Sequence, residues 1–413
     1  MKYSKNEVLQ YVAEEDVKFI RMAFCDIYGQ QKNISIMPQE LEKAFEYGIA
    51  IDASAIKGFN VKVHSDLFLH PDPSTISVLP WRPEHGRVVR MFCNITYPNG
   101  EPFECDTRTV LINAVEEAKE MGLEFSFGSE MEFYLFNLNE NGEKTVIPYD
   151  NAGYMDIAPD DKGENIRREI CLTLEQMGII PESSHHEEGP GQNEIDFRYS
   201  DPLTAADNAV TFKSVVKTAA ARNGLYADFS PKPLLNKAGN GMHINFSVAE
   251  NKKSKISNLK DDENNIMQNV IAGILDKIND ITLFLNITDE SYLRFGHSKA
   301  PKYVTWSNEN RSELIRIPAA FGKYKRAELR SADPMCNPYL AFALIIKAGI
   351  YGVKNNLKLP KPADFNLYLA EKEKIKDFKL LPLTLAKAKE NALNSLFIKE
   401  NLNENLIKNY TQD

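Results

Sequence analysis

The stretch Ser126-Phe127-Gly128-Ser129-Glu130-Met131-Glu132-Phe133-Tyr134-Leu135-Phe136 places two carboxylates two residues apart inside an apolar run. In a β-strand, residues i and i+2 share a face, so Glu130 and Glu132 point the same way, roughly 7 Å apart. Like charges buried together are costly unless a cation neutralises them, and a metal ion is the simplest such cation. The pattern recurs. Gln192-Asn193-Glu194-Ile195-Asp196-Phe197 aims Glu194 and Asp196 to one side, with Ile195 and Phe197 on the other. Gly241-Met242-His243-Ile244-Asn245-Phe246-Ser247-Val248 collects His243, Asn245 and Ser247 on one face, and Arg326-Ala327-Glu328-Leu329-Arg330 sets two cations around one acid. One antiparallel sheet explains all four stretches, its apolar face packed on helices and its polar face lining a charged cavity. A face turned to water would carry more Lys, Thr and Ser.

The elements that hold these strands read as follows. Residues 1–105 form a small strand-rich unit: Val17 to Tyr28 reads as a strand ending at Gly29, Pro38 to Tyr47 as a helix, and Pro71, Pro73, Pro80, Pro83 and Pro98 punctuate the rest. A helix from Thr107 to Met121, stopped by Gly122, leads into a larger unit at 106–413. Asp201-Pro202 opens and Gly224 closes a long helix, since an acid cap, a proline in the first turn and a glycine past the end agree. Lys252 to Asn265 reads as an exposed polar loop.

Composition bounds the rest. The 413 residues suffice for two or more domains. A net charge of −9 with no basic block argues against a nucleic-acid partner. The longest apolar run, Tyr339 to Tyr351, is broken by Lys347 and too short to span a bilayer, which argues against a membrane. Met1 to Glu7 lacks the apolar core of a signal peptide. The 5 cysteines are an odd number without CxxC spacing, as expected of reduced thiols in the cytoplasm.

Further motifs run from Asn151 to Tyr339: Asn151-Ala152-Gly153-Tyr154, Asp161-Lys162-Gly163-Glu164-Asn165, His185-His186-Glu187 with Gly191-Gln192-Asn193-Glu194, Lys232-Pro233-Leu234, Asn310-Arg311-Ser312 with Arg316-Ile317-Pro318, and Asp333-Pro334 with Asn337-Pro338-Tyr339. In this order they resemble bacterial type I glutamine synthetases. The resemblance implies an α+β fold, with a β-grasp-like N-terminal domain and a catalytic domain built around a curved antiparallel sheet packed by helices. It also implies a homo-oligomer of hexameric rings, stacked as a dodecamer, with active sites between subunits. A fold alone does not fix the reaction.

Carried over position by position, the resemblance gives Glu132, Glu187 and Glu194 to one divalent ion and Glu130, His243 and Glu328 to another. Carboxylates with one imidazole suit Mg²⁺ or Mn²⁺. It gives Arg294, Arg330 and the Gly239 backbone to L-glutamate, Arg311 and Arg316 to ATP phosphates, and Arg326, Asn245, Ser247 and Glu182 to the nucleotide. Tyr154, Asp66 and Asp52, the last from a neighbouring subunit, belong to the acceptor cation site. Asp52, Arg311 and Arg330 are then the catalytic group. ATP would phosphorylate the γ-carboxylate of glutamate, and an amine would displace phosphate from the γ-glutamyl phosphate.

The chain departs from the family at that cation site. Ala55 stands where many members keep a second Ser, and Lys299 of Phe295-Gly296-His297-Ser298-Lys299-Ala300-Pro301 takes the flap position normally held by Glu. A lysine there opposes ammonium capture by its sign. The chain also stops at Asp413 without the longer tail common in the family, so ring stacking is less firmly expected than the ring, and no tyrosine motif for adenylylation is evident. Three functions remain open: ligation of glutamate to ammonia, which is favoured, ligation to another amine, and a non-catalytic binding role.

Overall fold

The computed structural model describes residues 3–59, 65–82, 85–250, 253–254 and 266–412. After the capped helix α1 (Lys5–Glu14) come β1 (Val17–Cys25) and β2 (Gln31–Ile36), α2 (Leu41–Tyr47), β3 (Ile49–Asp52), β4 (Asp66–Pro71), β5 (Ser77–Val78) and β6 (Arg87–Thr96). They form a 6-stranded sheet in the order β2-β1-β6-β4-β3, with β5 beside β6. The first strand ends at Cys25, short of Tyr28, because Asp26 Oδ1 accepts the N–H groups of Tyr28 and Gln30 and folds the chain into a turn that Gly29 completes at φ 77°. The helix expected from Pro38 opens as a 3₁₀ turn, Pro38–Glu40, before α2.

The larger unit contains α3 (Thr107–Glu120), β7 (Leu123–Leu138), β8 (Lys144–Pro148), α4 (Glu164–Gln176), β9 (Pro181–His186), β10 (Gln192–Phe197), α5 (Pro202–Arg222), β11 (Leu225–Asp228), β12 (Met242–Glu250) and β13 (Lys253–Ser254). It continues through α6 (Ile266–Leu285), α7 (Asp289–Tyr292), β14 (Trp306–Asn308), β15 (Ile315–Ile317), β16 (Ala327–Leu329) and α8 (Pro338–Lys354), and closes with short helices up to Thr411. The sheet runs β14-β15-β16-β12-β7-β10-β9, with β8 and β11 also on β7. It is antiparallel apart from β14–β15, which are parallel. There Asn310, bonded to Glu313 and to the carbonyls of Ala363 and Phe365, pins a loop that returns the chain in its original direction. The expected polar loop at 252–265 lies outside the described residues, apart from Lys253–Ser254.

Alternation in β7 sends Phe125, Phe127, Met131, Phe133 and Leu135 into the core, where Phe127 stacks on Phe342 of α8 at 4.6 Å. Helix α5 begins as read, with the Asp201 carboxylate accepting the Thr204 N–H ahead of Pro202. Helix α8 is buried almost all round, and it meets α6 at two glycines. A Cβ on Gly273 would lie 2.1 Å from Ala348 O, and one on Gly352 would lie 2.0 Å from Asn269 O. The apolar run at 339–351 is thus a core helix, and no helix among the described residues is long and apolar enough to cross a membrane.

A buried charge cluster joins the N-terminal sheet to helices α3, α5 and α8. Arg108 donates to Asp72 at 2.8 Å, to Asn94 at 2.6 Å and to both oxygens of Asp207, at 3.2 and 3.0 Å. The Tyr339 hydroxyl donates to Asp207 at 2.6 Å. All the cysteines are free thiols.

Candidate active site

Strand register composes the site. Across the sheet, one row runs Arg316, Glu328, Asn245; the next His243, Glu130, Asp196; the third Glu132, Glu194, His185. Because the apolar neighbours of these residues point the other way, the rows turn toward a cavity of about 370 Å³ that all of them line except Asn245 and Glu328. Arg294, Arg311, Arg316, Arg326, Arg330, Gly239, Tyr154 and Lys299 also line it.

Donor atoms of Glu130, His243 and Glu328 all lie within 4.8 Å of one another, so that expected triad is assembled. Glu187 and Glu194 form a second cluster with His185, and Glu130, Glu194 and Asp196 a third. Glu132, expected beside Glu187 and Glu194, turns its Oε2 to the Gly241 N–H at 2.8 Å and to Gln192 Nε2 at 3.2 Å. His185 and Asp196 therefore join a group to which the family pattern did not assign them. Asp196 had given a signal in sharing its strand face with Glu194.

The clusters differ in charge balance. Burial pushes Glu130 up, but hydrogen bonds from His243 and Asn245 and the Arg330 charge outweigh it and hold Glu130 down to about 2. The opposite holds next door. Burial and the Glu132 charge raise Glu187 to about 7, burial and Glu130 raise Asp196 to about 6, and burial with Glu132 drives Glu194 well above the carboxylate range. Three acids that repel one another's charge, beside a His185 that burial keeps below its usual range, are a hard, under-neutralised donor set. That chemistry fits a divalent cation of the Mg²⁺ or Mn²⁺ type.

Beneath this cluster, fully buried His186 presents Nε2 to Asp150 Oδ1 at 2.9 Å and Nδ1 to the Glu187 carbonyl at 2.7 Å. Burial opposes the imidazolium, yet the Asp150 bond raises its pKa. Asp150, Asp161 and His186 lie close enough to suggest a metal site, but Arg167 grips Asp161 through both oxygens and compensates the charge. This support fixes the backbone at Glu187. No local signal marked Asp150, which lies 36 residues from its partner.

The arginines converge from the far wall. Arg316 reaches Glu328 Oε2 at 2.7 Å, Arg330 binds Glu328 Oε1, and each keeps a buried Nε without a hydrogen-bond partner among the described residues. Arg326 Nε donates to Asn245 Oδ1 at 2.7 Å, whose amide in turn donates to Glu130 at 2.8 Å. Arg294, 4% exposed, donates to Ser331 O. A Cβ on Gly239 would lie 2.4 Å from Pro231 O and 2.8 Å from Arg294 Cγ, so only glycine brings the backbone this near Arg294.

Four of the anticipated residues are elsewhere. Glu182 is half exposed and 3.7 Å from Arg198, Ser247 sits further along β12, and neither lines the cavity. Asp52 and Asp66 face each other across β3–β4 on the exposed rim of the N-terminal sheet, outside the cavity of their own chain. Lys299 lines it, with Nζ 2.5 Å from Glu188 and 4.8 Å from the Tyr154 ring centroid.

This arrangement has known counterparts. Residues 104–412 match the glutamine synthetase catalytic domain and residues 16–98 the glutamine synthetase beta-Grasp domain. A glutamine synthetase of Clostridium saccharobutylicum is 42% identical over 99% of this chain and 94% of its own length. One from Methanosarcina mazei is 44% identical over 98% and 92%. Among solved structures, a GmaS/ADP complex superposes with a TM-score of 0.88 at 25% identity, covering 98% of this chain and 94% of that one. The chain belongs to the glutamine synthetase family.

Proposed function

We propose that the chain uses ATP to phosphorylate the γ-carboxylate of L-glutamate and then transfers the γ-glutamyl group to an amine, with ammonia the favoured acceptor and glutamine the product. The observation that carries this reading is one cavity joining the carboxylates of β7 and β10 and His243 of β12 to five arginines. Phosphoryl transfer depends mainly on charge neutralisation and positioning, and both are supplied here. Glu130, His243 and Glu328 would hold one divalent ion, and Glu132, Glu187 and Glu194, with His185 alongside, the other. Such ions neutralise phosphate charge and polarise the carbonyl under attack.

The chain's own groups do the rest. Arg294 and Arg330 would bind the carboxylates of glutamate against the Gly239 backbone. Arg311 and Arg316 would balance the charge of the moving phosphoryl group, with Arg326 and Asn245 toward the nucleotide and Glu182 and Ser247 at its outer edge. Asp52 and Asp66, exposed and outside the lining of their own chain's cavity, fit a role in a neighbour's acceptor site beside Tyr154. This supports a ring-forming homo-oligomer. A domain boundary near residue 105 and a cytoplasmic setting, consistent with the free thiols, belong to the same reading.

A different amine acceptor is the second reading, favoured by one observation, the lysine at 299 beside Tyr154. Phosphate release from ATP, measured with L-glutamate and a panel of amines including ammonia, decides between them. Glutamate-dependent release that is greatest with ammonia is expected. Release only with a larger amine would replace the first reading by the second, and no release with any amine would leave a binding role.

A further inference from the structure

Lys299 brings a primary ammonium into the cavity where an amine must enter. Its Nζ lies 2.5 Å from Glu188 Oε1 and 4.8 Å from the Tyr154 ring centroid, and Tyr154 packs edge-on against His185 at 5.4 Å. The adjacent Glu187 carboxyl also feels the lysine charge. Carboxylates beside the face of an aromatic ring are the recognition chemistry of a small ammonium ion. Here a side chain of the protein already satisfies it. The turn that carries it is unusual, because Ser298 and Lys299 have φ of 45° and 64°, in the left-handed region that residues with a Cβ seldom occupy. It is held from both sides: Arg330 Nη2 donates to Lys299 O at 3.3 Å and the Tyr368 hydroxyl donates to Ala300 O at 2.9 Å.

Resting on the ligase reading above, we infer that Lys299 is a tethered competitor for the acceptor cation: the chain seats its own ammonium against Glu188 and Tyr154, and an incoming ammonium ion must displace it. Lys299 is thereby a specificity-determining residue that sets the ammonium concentration at which the enzyme turns over. A short tether gives an effective concentration on the order of millimolar. The lysine and Glu188 side chains are 41% and 37% exposed, so the seat is weakly held and the competition modest.

Phosphate release is measured against ammonium chloride at constant ionic strength with saturating ATP and glutamate, for the native protein, Lys299→Gln and Lys299→Arg. Removing the competitor in Lys299→Gln should lower the ammonium KM about three- to tenfold while kcat moves less than about twofold, and Lys299→Arg should stay near native. An unchanged or higher KM in Lys299→Gln would make Lys299 a strut of the loop and overturn the inference. A failure of the ligase reading looks different, with no amine-dependent phosphate release from any of the three proteins. In that event, thermal unfolding with methylammonium chloride against matched sodium chloride still decides. Selective stabilisation of Lys299→Gln supports a competitor in the site, and equal shifts in native and variant proteins refute it.

Discussion

Glu194 of β10 stands directly opposite Glu132 of β7, two acids paired where a ladder ordinarily sets opposite charges or apolar groups. The sheet tolerates this row because Gly241 and Gln192 hydrogen-bond Glu132, while Glu194 is driven toward its protonated form. A cation supplied at this row would remove the conflict.

Glu194→Ala should therefore fold yet form no γ-glutamyl phosphate, with ATP turnover reduced to background. Circular dichroism establishes the fold and acyl-phosphate trapping with hydroxylamine the chemistry. Full activity in a folded Glu194→Ala protein would sink the assignment of an ion to this cluster.

Stability without metal should depend on pH with a definite sign. Glu187 is raised from 4.5 to about 7 in the folded chain, so the folded state binds the extra proton and stability falls as pH rises through that window. Glu130, lowered to about 2, acts oppositely and withdraws its support only as pH falls below 4.5 toward 2. Thermal melts of chelator-treated protein should thus show a lower Tm at pH 7.5 than at pH 5. Added Mg²⁺ or Mn²⁺ should reverse the difference and release protons, which calorimetry in buffers of different ionisation enthalpy detects. Metal binding at pH 6 without proton release would contradict the raised carboxyls.

Asp52 and Asp66 sit on the rim, away from their own cavity, so complementation is expected. Asp52→Ala and Glu328→Ala proteins, each inactive, should regain part of the native activity when dissociated and reassembled together. Light scattering that finds a fully active monomer would end the shared-site reading.

Arg108→Met should test the joint between the N-terminal sheet and the helices of the larger unit. Removing one partner from a buried ion network costs about 3–5 kcal/mol, because Asp72 and Asp207 would keep uncompensated charge. A loss in denaturant-unfolding free energy below about 1 kcal/mol would show that Arg108 does not hold the two units together.

Much of the site was legible as alternation. Period-two spacing put Glu130 with Glu132, Glu194 with Asp196 and His243 with Asn245, and all of these but Asn245 line one cavity. Register was not legible, since the pairing of Glu194 with Glu132 depends on two strands separated along the chain. Nor were β14 and β15, three residues each, long enough to display a period. His186 stood out only as the neighbour of Glu187, whereas it is a buried support whose partner, Asp150, carries no motif. Lys299 was conspicuous by charge, but its seat on Tyr154 follows from two consecutive left-handed residues that no pattern announces.

The Arg108 cluster also says something about how the chain is made. Asp72 and Asn94 leave the ribosome before Arg108, but Asp207 follows it by 99 residues, and the Tyr339 hydroxyl that steadies Asp207 comes 132 residues later still. At about 5–20 residues per second, the arginine waits roughly 5–20 s for its second carboxylate. During that interval the N-terminal sheet is already synthesised while the socket that locks it to the rest stays open, so the nascent protein passes through a stage with its first unit made and its keystone exposed.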